Sequence, residues 1–235
     1  MQIIEVSDFG VRSAVVRLRR TGTPMCFVVY PMIHMAEPAF FAAVSRRLRT
    51  ADVIVTEGIG GDGGFSLLGR ALTLSYAVLR FNRRAGLVRQ EIDYGSSGAD
   101  IVRPDATTAE FTAGWRRAPL KQRLYVWMAL PVVMVVRLFG GARTVWSRAL
   151  ELNDLPTPLD EAFAEQQPHL HDALVGDRDA MLLQALYRLH EERCDEQIEV
   201  AVVYGAGHVP AIVHGLIRYG YRPRSADWLT VATLC

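Results

Sequence analysis

One heptapeptide pattern occurs twice and limits what this chain can fold into. Phe27–His34 reads FVVYPMIH and Ala201–His208 reads AVVYGAGH, so Val-Val-Tyr-x-x-x-His appears twice in the same spacing. Each copy starts as a β-branched apolar run, the signature of a buried strand. Each is followed by a helical pattern. After His208, the residues Val209, Ile212, Val213, Leu216 and Ile217 recur at i, i+3, i+4, i+7 and i+8, with Pro210 in the first turn, where a missing N–H costs nothing. After His34, Pro38 stands near the helix start and Phe41, Val44 and Leu48 share one face. Two strand–turn–His–helix units of equal spacing predict a duplicated half-site, with both histidines at strand C-terminal ends opening into one cleft.

The rest of the chain fits an α/β domain built on a mixed sheet. Gln2–Val6 and Val11–Arg20 read as a hairpin around Asp8-Phe9-Gly10. Met25–Tyr30 and Asp52–Thr56 read as the third and fourth strands, and Ile101–Arg103 as a further short one. Thr107-Thr108-Ala109-Glu110 reads as a capping box opening a helix. Residues 65–196 are mainly helical in pattern and read as an insertion or lid over the site, within one domain spanning 1–235. Near the end, Ile198–Tyr204, the helix after His208 and Trp228–Leu234 give strand, helix, strand. That order predicts parallel neighbours with a right-handed crossover.

At Gly205-Ala206-Gly207-His208 the chain resembles the TraB/PrgY/TIKI superfamily, whose wider relatives include haem-associated ChaN proteins and erythromycin esterases. Members have two GxxH-type motifs and a glutamate after the strand that follows the first. Here Asp52–Gly58 reads DVIVTEG, which ends that strand at Glu57. The likeness extends loosely over Gln90–Thr107, including the Val-Arg-Pro-Asp run that ends at Asp105, and to Asp177-Arg178-Asp179, where the family has an arginine. One departure is Pro-Met-Ile-His in the first motif, with Pro31 replacing glycine and removing an N–H. The resemblance implies a metal-dependent, peptidase-like hydrolase. It implies His34, Glu57, His208 and Arg178 as the acting residues, the first three also as metal ligands. Tyr30, Tyr204, Gly205, Gly207 and Asp105 would then contact substrate.

The residues themselves leave two chemistries open. Two imidazoles and a carboxylate suit Zn, Mn, Fe or Co, and a bound divalent ion would acidify water and polarise a carbonyl. Without a metal, the histidines and Glu57 would serve as acid and base while Arg178 holds an anionic group. Other classes are excluded by pattern. There is no Gly-x-Ser-x-Gly elbow, and Gly205-Ala206-Gly207 lacks the later glycine and acidic partner of a dinucleotide site. The glycine-rich run Gly58–Gly64 lacks the lysine and hydroxyl of a P-loop and reads as a rim loop. His214 reads as a packing or surface residue, His169 and His171 as loop residues, and His190 as part of a polar helix.

Charge is uneven although the net value is +1. Residues 1–150 carry 20 basic and 11 acidic side chains, whereas 151–200 carry 3 and 13. No overall field points to nucleic acid. Cys26, Cys194 and Cys235 form no CxxC pair, which fits a reducing, cytoplasmic setting, and the N-terminus lacks a secretory pattern. Leu124–Val136 is thirteen uncharged residues interrupted by Pro131, within a stretch that has no acidic residue between Glu110 and Glu151. Three readings of it stand in order: a kinked hairpin of core helices, a homodimer interface, and a contact with an anionic membrane surface. As an uncharged run it is shorter than a span of about 20 residues. The expected function is hydrolysis of a peptide or a small amide or ester. The rival is a catalytically weak protein that sequesters a peptide or ligand, peripheral to a membrane.

Overall fold

The computed structural model describes residues 1–58, 74, 86–104, 108–117, 119–139, 152, 153, 155 and 176–234. Its centre is an eight-stranded mixed sheet. Strands β1 (Gln2–Val6) and β2 (Gly10–Arg19) form the expected antiparallel hairpin, with Ile4 opposite Ser13 and Val6 opposite Val11. Strand β3 (Cys26–Met32) runs antiparallel to β2. On its other side β9 (Glu199–Gly205), β5 (Val53–Thr56) and β7 (Asp100–Val102) follow in parallel. The full order is β7-β5-β9-β3-β2-β1-β8, where β8 (Leu152–Asn153) joins β1, and β10 (Arg222–Thr233) pairs with β2 off this path. A two-stranded sheet joins β4 (Met35–Ala36) to β6 (Val88–Arg89).

The central strands are apolar because both of their faces are covered. Every residue of β3 and β5 is buried, and in β9 Val200–Tyr204 are all buried. Side chains on the two faces of β3 meet different helices. Tyr30 lies with Arg46 and Arg47 of α1 (Pro38–Leu48), whereas Phe27 packs edge-on to Tyr221, which contacts His190 of α4 (Asp177–Arg193). Helix α1 buries Phe40, Phe41, Val44 and Leu48, and α5 (Val209–Arg218) buries Val209, Ile212, Val213 and Leu216. These match the expected faces, with Ile217 packing only partly buried against the core. Each such aliphatic side chain contributes about 1.5–3 kcal/mol on burial.

Three expectations are corrected. First, β10 is not a parallel neighbour of β9. Both sides of β9 are already taken by β3 and β5, so β10 pairs antiparallel with β2, Trp228 opposite Ala14. Second, the two histidine units differ in geometry. Strand β3 continues through Pro31 to Met32, and the Pro31 carbonyl accepts a 2.8 Å hydrogen bond from buried Ser13 Oγ. Strand β9 instead ends at Gly205 and passes through a 3₁₀ turn, Ala206–His208, directly into α5. Third, the segment around Pro131 does not form a hairpin of core helices. After α2 (Thr108–Arg117), one helix, α3 (Leu120–Phe139), continues through Pro131, and no side chain in it is buried. Its 20 residues make it long and apolar enough, by length and composition, to cross a membrane. His190 lies on α4, a helix of polar composition, as expected. It is buried, with Nδ1 2.9 Å from Tyr221 Oη and Nε2 2.9 Å from Arg20 Nη1. Between 65 and 196, β6, β7, β8 and the 3₁₀ turn Gly95–Ser97 stand among the helices, and β7 and β8 sit at opposite ends of the main sheet. Thr107, the cap of the expected box, lies outside the described residues, as do His169, His171 and Gly61–Gly64.

Candidate functional site

The three parallel strands β3, β9 and β5 deliver their C-terminal ends to one edge of the sheet, the usual place for ligands in such sheets. Glu57 follows β5 directly, and its backbone N–H still bonds the Val203 carbonyl of β9 at 3.1 Å. His208 ends the 3₁₀ turn after β9. Two residues past Met32, which pairs with Gly205, comes His34, exposed at the same edge.

The Glu57 carboxylate is held at both oxygens. Arg178 Nη2 donates to Oε1 at 2.6 Å and the Gly205 backbone N–H donates to Oε2 at 2.8 Å. A side chain at Gly205 would collide with this arrangement, since a Cβ there would stand 2.9 Å from Oε2. Glycine is thus required at the first position of the second motif by space and not by backbone angle. Burial pushes the Glu57 carboxyl up. The charge and hydrogen bond of Arg178 outweigh that, His208 and His34 add to it, and the group is held below its ordinary value of 4.5.

His208 is oriented by an acidic residue at the head of α4. Its Nδ1 lies 2.7 Å from Asp179 Oδ1, in the first turn of α4. A carboxylate only accepts, so Nδ1 carries a proton, and in the neutral imidazole the lone pair is then on Nε2. Nε2 lies 3.9 Å from Glu57 Oε1. The side chains are mostly enclosed, with 8% of His208, 11% of Arg178, 15% of Asp179 and 20% of Glu57 exposed. The Tyr204 ring stands edge-on to His208 at 5.8 Å. Tyr94 completes the surroundings. Its phenol feels the Glu57 charge, and burial, the larger cause, raises it above its ordinary value.

The structure brings together Glu57, Arg178, His208, Tyr204 and Gly205, with His34 at the same edge. It does not bring Tyr30 there. Strands β3 and β9 pair one residue out of step with the repeat, Tyr30 opposite Val203 and Pro31 opposite Tyr204. Neighbouring residues in register share a face, so Tyr30 and Tyr204 point to opposite faces. Tyr30 lines a separate pocket of about 430 Å³ with Arg17, Arg46, Arg47 and Glu199. Gly207 has open space around its Cα. Asp105 lies outside the described residues. Sequence reasoning missed Asp179 and Tyr94. An acid in a helix's first turn is already explained by the dipole, and only the fold reveals that Asp179 faces a histidine 29 residues away.

The divalent ion implied by the resemblance meets a cation already in place. Arg178 occupies Oε1 of Glu57, an N–H occupies Oε2, and Asp179 occupies Nδ1 of His208. Among the described residues no group of three or more His, Cys, Asp or Glu is arranged to hold a metal. As arranged, these residues do not fit the ion unless Arg178 is displaced. No protein-family model matches the chain, and neither the curated proteins nor the solved structures contain a match to it.

Proposed function

We propose that the protein hydrolyses a peptide or a related amide or ester, with Glu57, Arg178, His208 and Asp179 as its reaction centre. The observation that carries this reading is a histidine whose Nδ1 is fixed by Asp179 and whose Nε2 is turned toward the Glu57–Arg178 pair. Such an imidazole is a general base with its orientation set in advance.

Water beside Nε2 gives its proton to His208 and attacks the substrate carbonyl carbon. A C–O bond forms and the carbonyl oxygen takes the negative charge. Asp179 stabilises the imidazolium, and the Arg178 guanidinium, always charged, stabilises the oxyanion. The intermediate collapses, the C–N or C–O bond breaks, and the imidazolium returns its proton to the leaving group. Glu57 stays ionised and holds Arg178 in position.

The experiment is a hydrolysis screen of peptide, amide and ester substrates by the parent protein, with and without chelator, and with Mn²⁺, Co²⁺ or Zn²⁺ added. Turnover that persists in chelator supports the reading. Turnover lost to chelator and restored by one metal would mean that Arg178 gives way to an ion, as the resemblance implies. Absence of turnover under every condition, with measurable peptide affinity, would establish the sequestering protein in its place.

A further inference from the structure

We propose that α3 docks the protein in plane on an anionic lipid bilayer. Leu124, Met128, Val132, Val135 and Phe139 recur at i, i+4, i+8, i+11 and i+15, one face of the helix, and each is more than half exposed. Gln122, Arg123 and Arg137 lie on the other side and are partly buried. The helix is therefore partly covered on one face and presents an apolar row outward. An exposed apolar row of this length marks an interaction surface.

Charge decides the occupant. No acidic residue falls between Glu110 and Glu151, while Arg116, Arg117 and Lys121 are exposed at and just before the N-terminal end of α3. Exposed basic residues at one end of an apolar row are complementary to negatively charged headgroups, and they would repel a second copy docked in parallel. Tyr125, 69% exposed, has the amphipathic ring that settles at a headgroup boundary. The uncharged part, Leu124–Val136, covers about 20 Å at 1.5 Å per residue, short of the ~30 Å hydrocarbon core. The whole helix has the length of a span, but Lys121 and Arg123 in its first turn and the half-covered opposite side assign it to the surface and not to a span.

The test is co-sedimentation of the full chain with phosphatidylcholine vesicles, with and without phosphatidylglycerol, at low and high salt. Binding is expected only to the anionic vesicles and should weaken with salt. Val132→Glu should abolish it, and each charge removed by Arg116→Gln or Arg117→Gln should lower it roughly fivefold. All three positions are exposed, so unchanged circular dichroism should accompany each loss. Equal binding to neutral and anionic vesicles would overturn the proposal, as would no binding to either. It would equally be overturned by a dimer in gel filtration that Val132→Glu dissociates, or by expressed protein that only detergent releases from membranes. None of these outcomes depends on hydrolysis.

Discussion

At the scale of single residues, the site rests on contacts that each accept one chemistry. Gly205 is the sharpest. A Cβ at 2.9 Å from a carboxylate oxygen forces Glu57 to move, and Glu57 is held by Arg178 on its other oxygen. Gly205→Ala is expected to reduce turnover while leaving the far-UV spectrum unchanged. Steady-state kinetics beside a thermal melt will check it, and loss of the fold would count against the local explanation. Glu57 also fixes a pH dependence. Its folded value lies below 4.5, so its contribution to stability is complete above about pH 4.5 and is lost as the pH falls through the folded value. Urea titrations between pH 3 and 7 should show this loss, and Arg178→Met should diminish it. The placement of His208 and Glu57 at strand ends was legible in the sequence because each follows a short buried apolar run. Asp179 and Tyr94 were not, because their roles depend on which loop faces which.

At the scale of elements, helix packing and strand order part company in how far sequence specifies them. The apolar faces of α1 and α5 were readable because period 3.6 is a local property. The neighbours of β9 were not, since any parallel strand could in principle pair there and only the competition among β3, β5 and β10 decides. Helix α3 shows the same limit, because an apolar run reads alike whether it turns inward or outward. Helices α4 and α5 approach at Gly215, where a Cβ would overlap Leu183 and stand 3.0 Å from Tyr187 Oη. Gly215→Leu should therefore destabilise by about 1–3 kcal/mol through overpacking, read as a lower urea midpoint at unchanged slope. On α4, burial and then the nearby Arg20 lower His190 below its ordinary 6.5. The unfolded chain then binds more protons below 6.5. Stability should be fully present above pH 6.5 and decline as the pH falls toward the folded value. His190→Gln should remove that step from a melting-temperature profile, and a profile unchanged by the substitution would refute the assignment.

At the scale of the whole molecule, one sheet edge gathers groups from distant parts of the chain: Glu57 after β5, His208 after β9, and Arg178 and Asp179 from the head of α4. The repeated Val-Val-Tyr-x-x-x-His pointed to that edge, although the two copies turn differently and pair one residue out of step. The mixed α/β sheet was legible from its apolar runs and early hairpin, whereas the pairing of β7 and β8 at opposite ends of the sheet was not, because strands of three and two residues carry no periodicity. The central claim is that His208, oriented by Asp179, is the base of a reaction centre. The most direct measurement compares turnover of the parent, His208→Ala and Asp179→Asn on the best substrate from the screen, with melting curves as the folding control. His208→Ala should lose roughly 10²–10⁴-fold in turnover and Asp179→Asn up to about 10⁴-fold, with both proteins still folded. Folded variants that turn over substrate as fast as the parent would contradict the account.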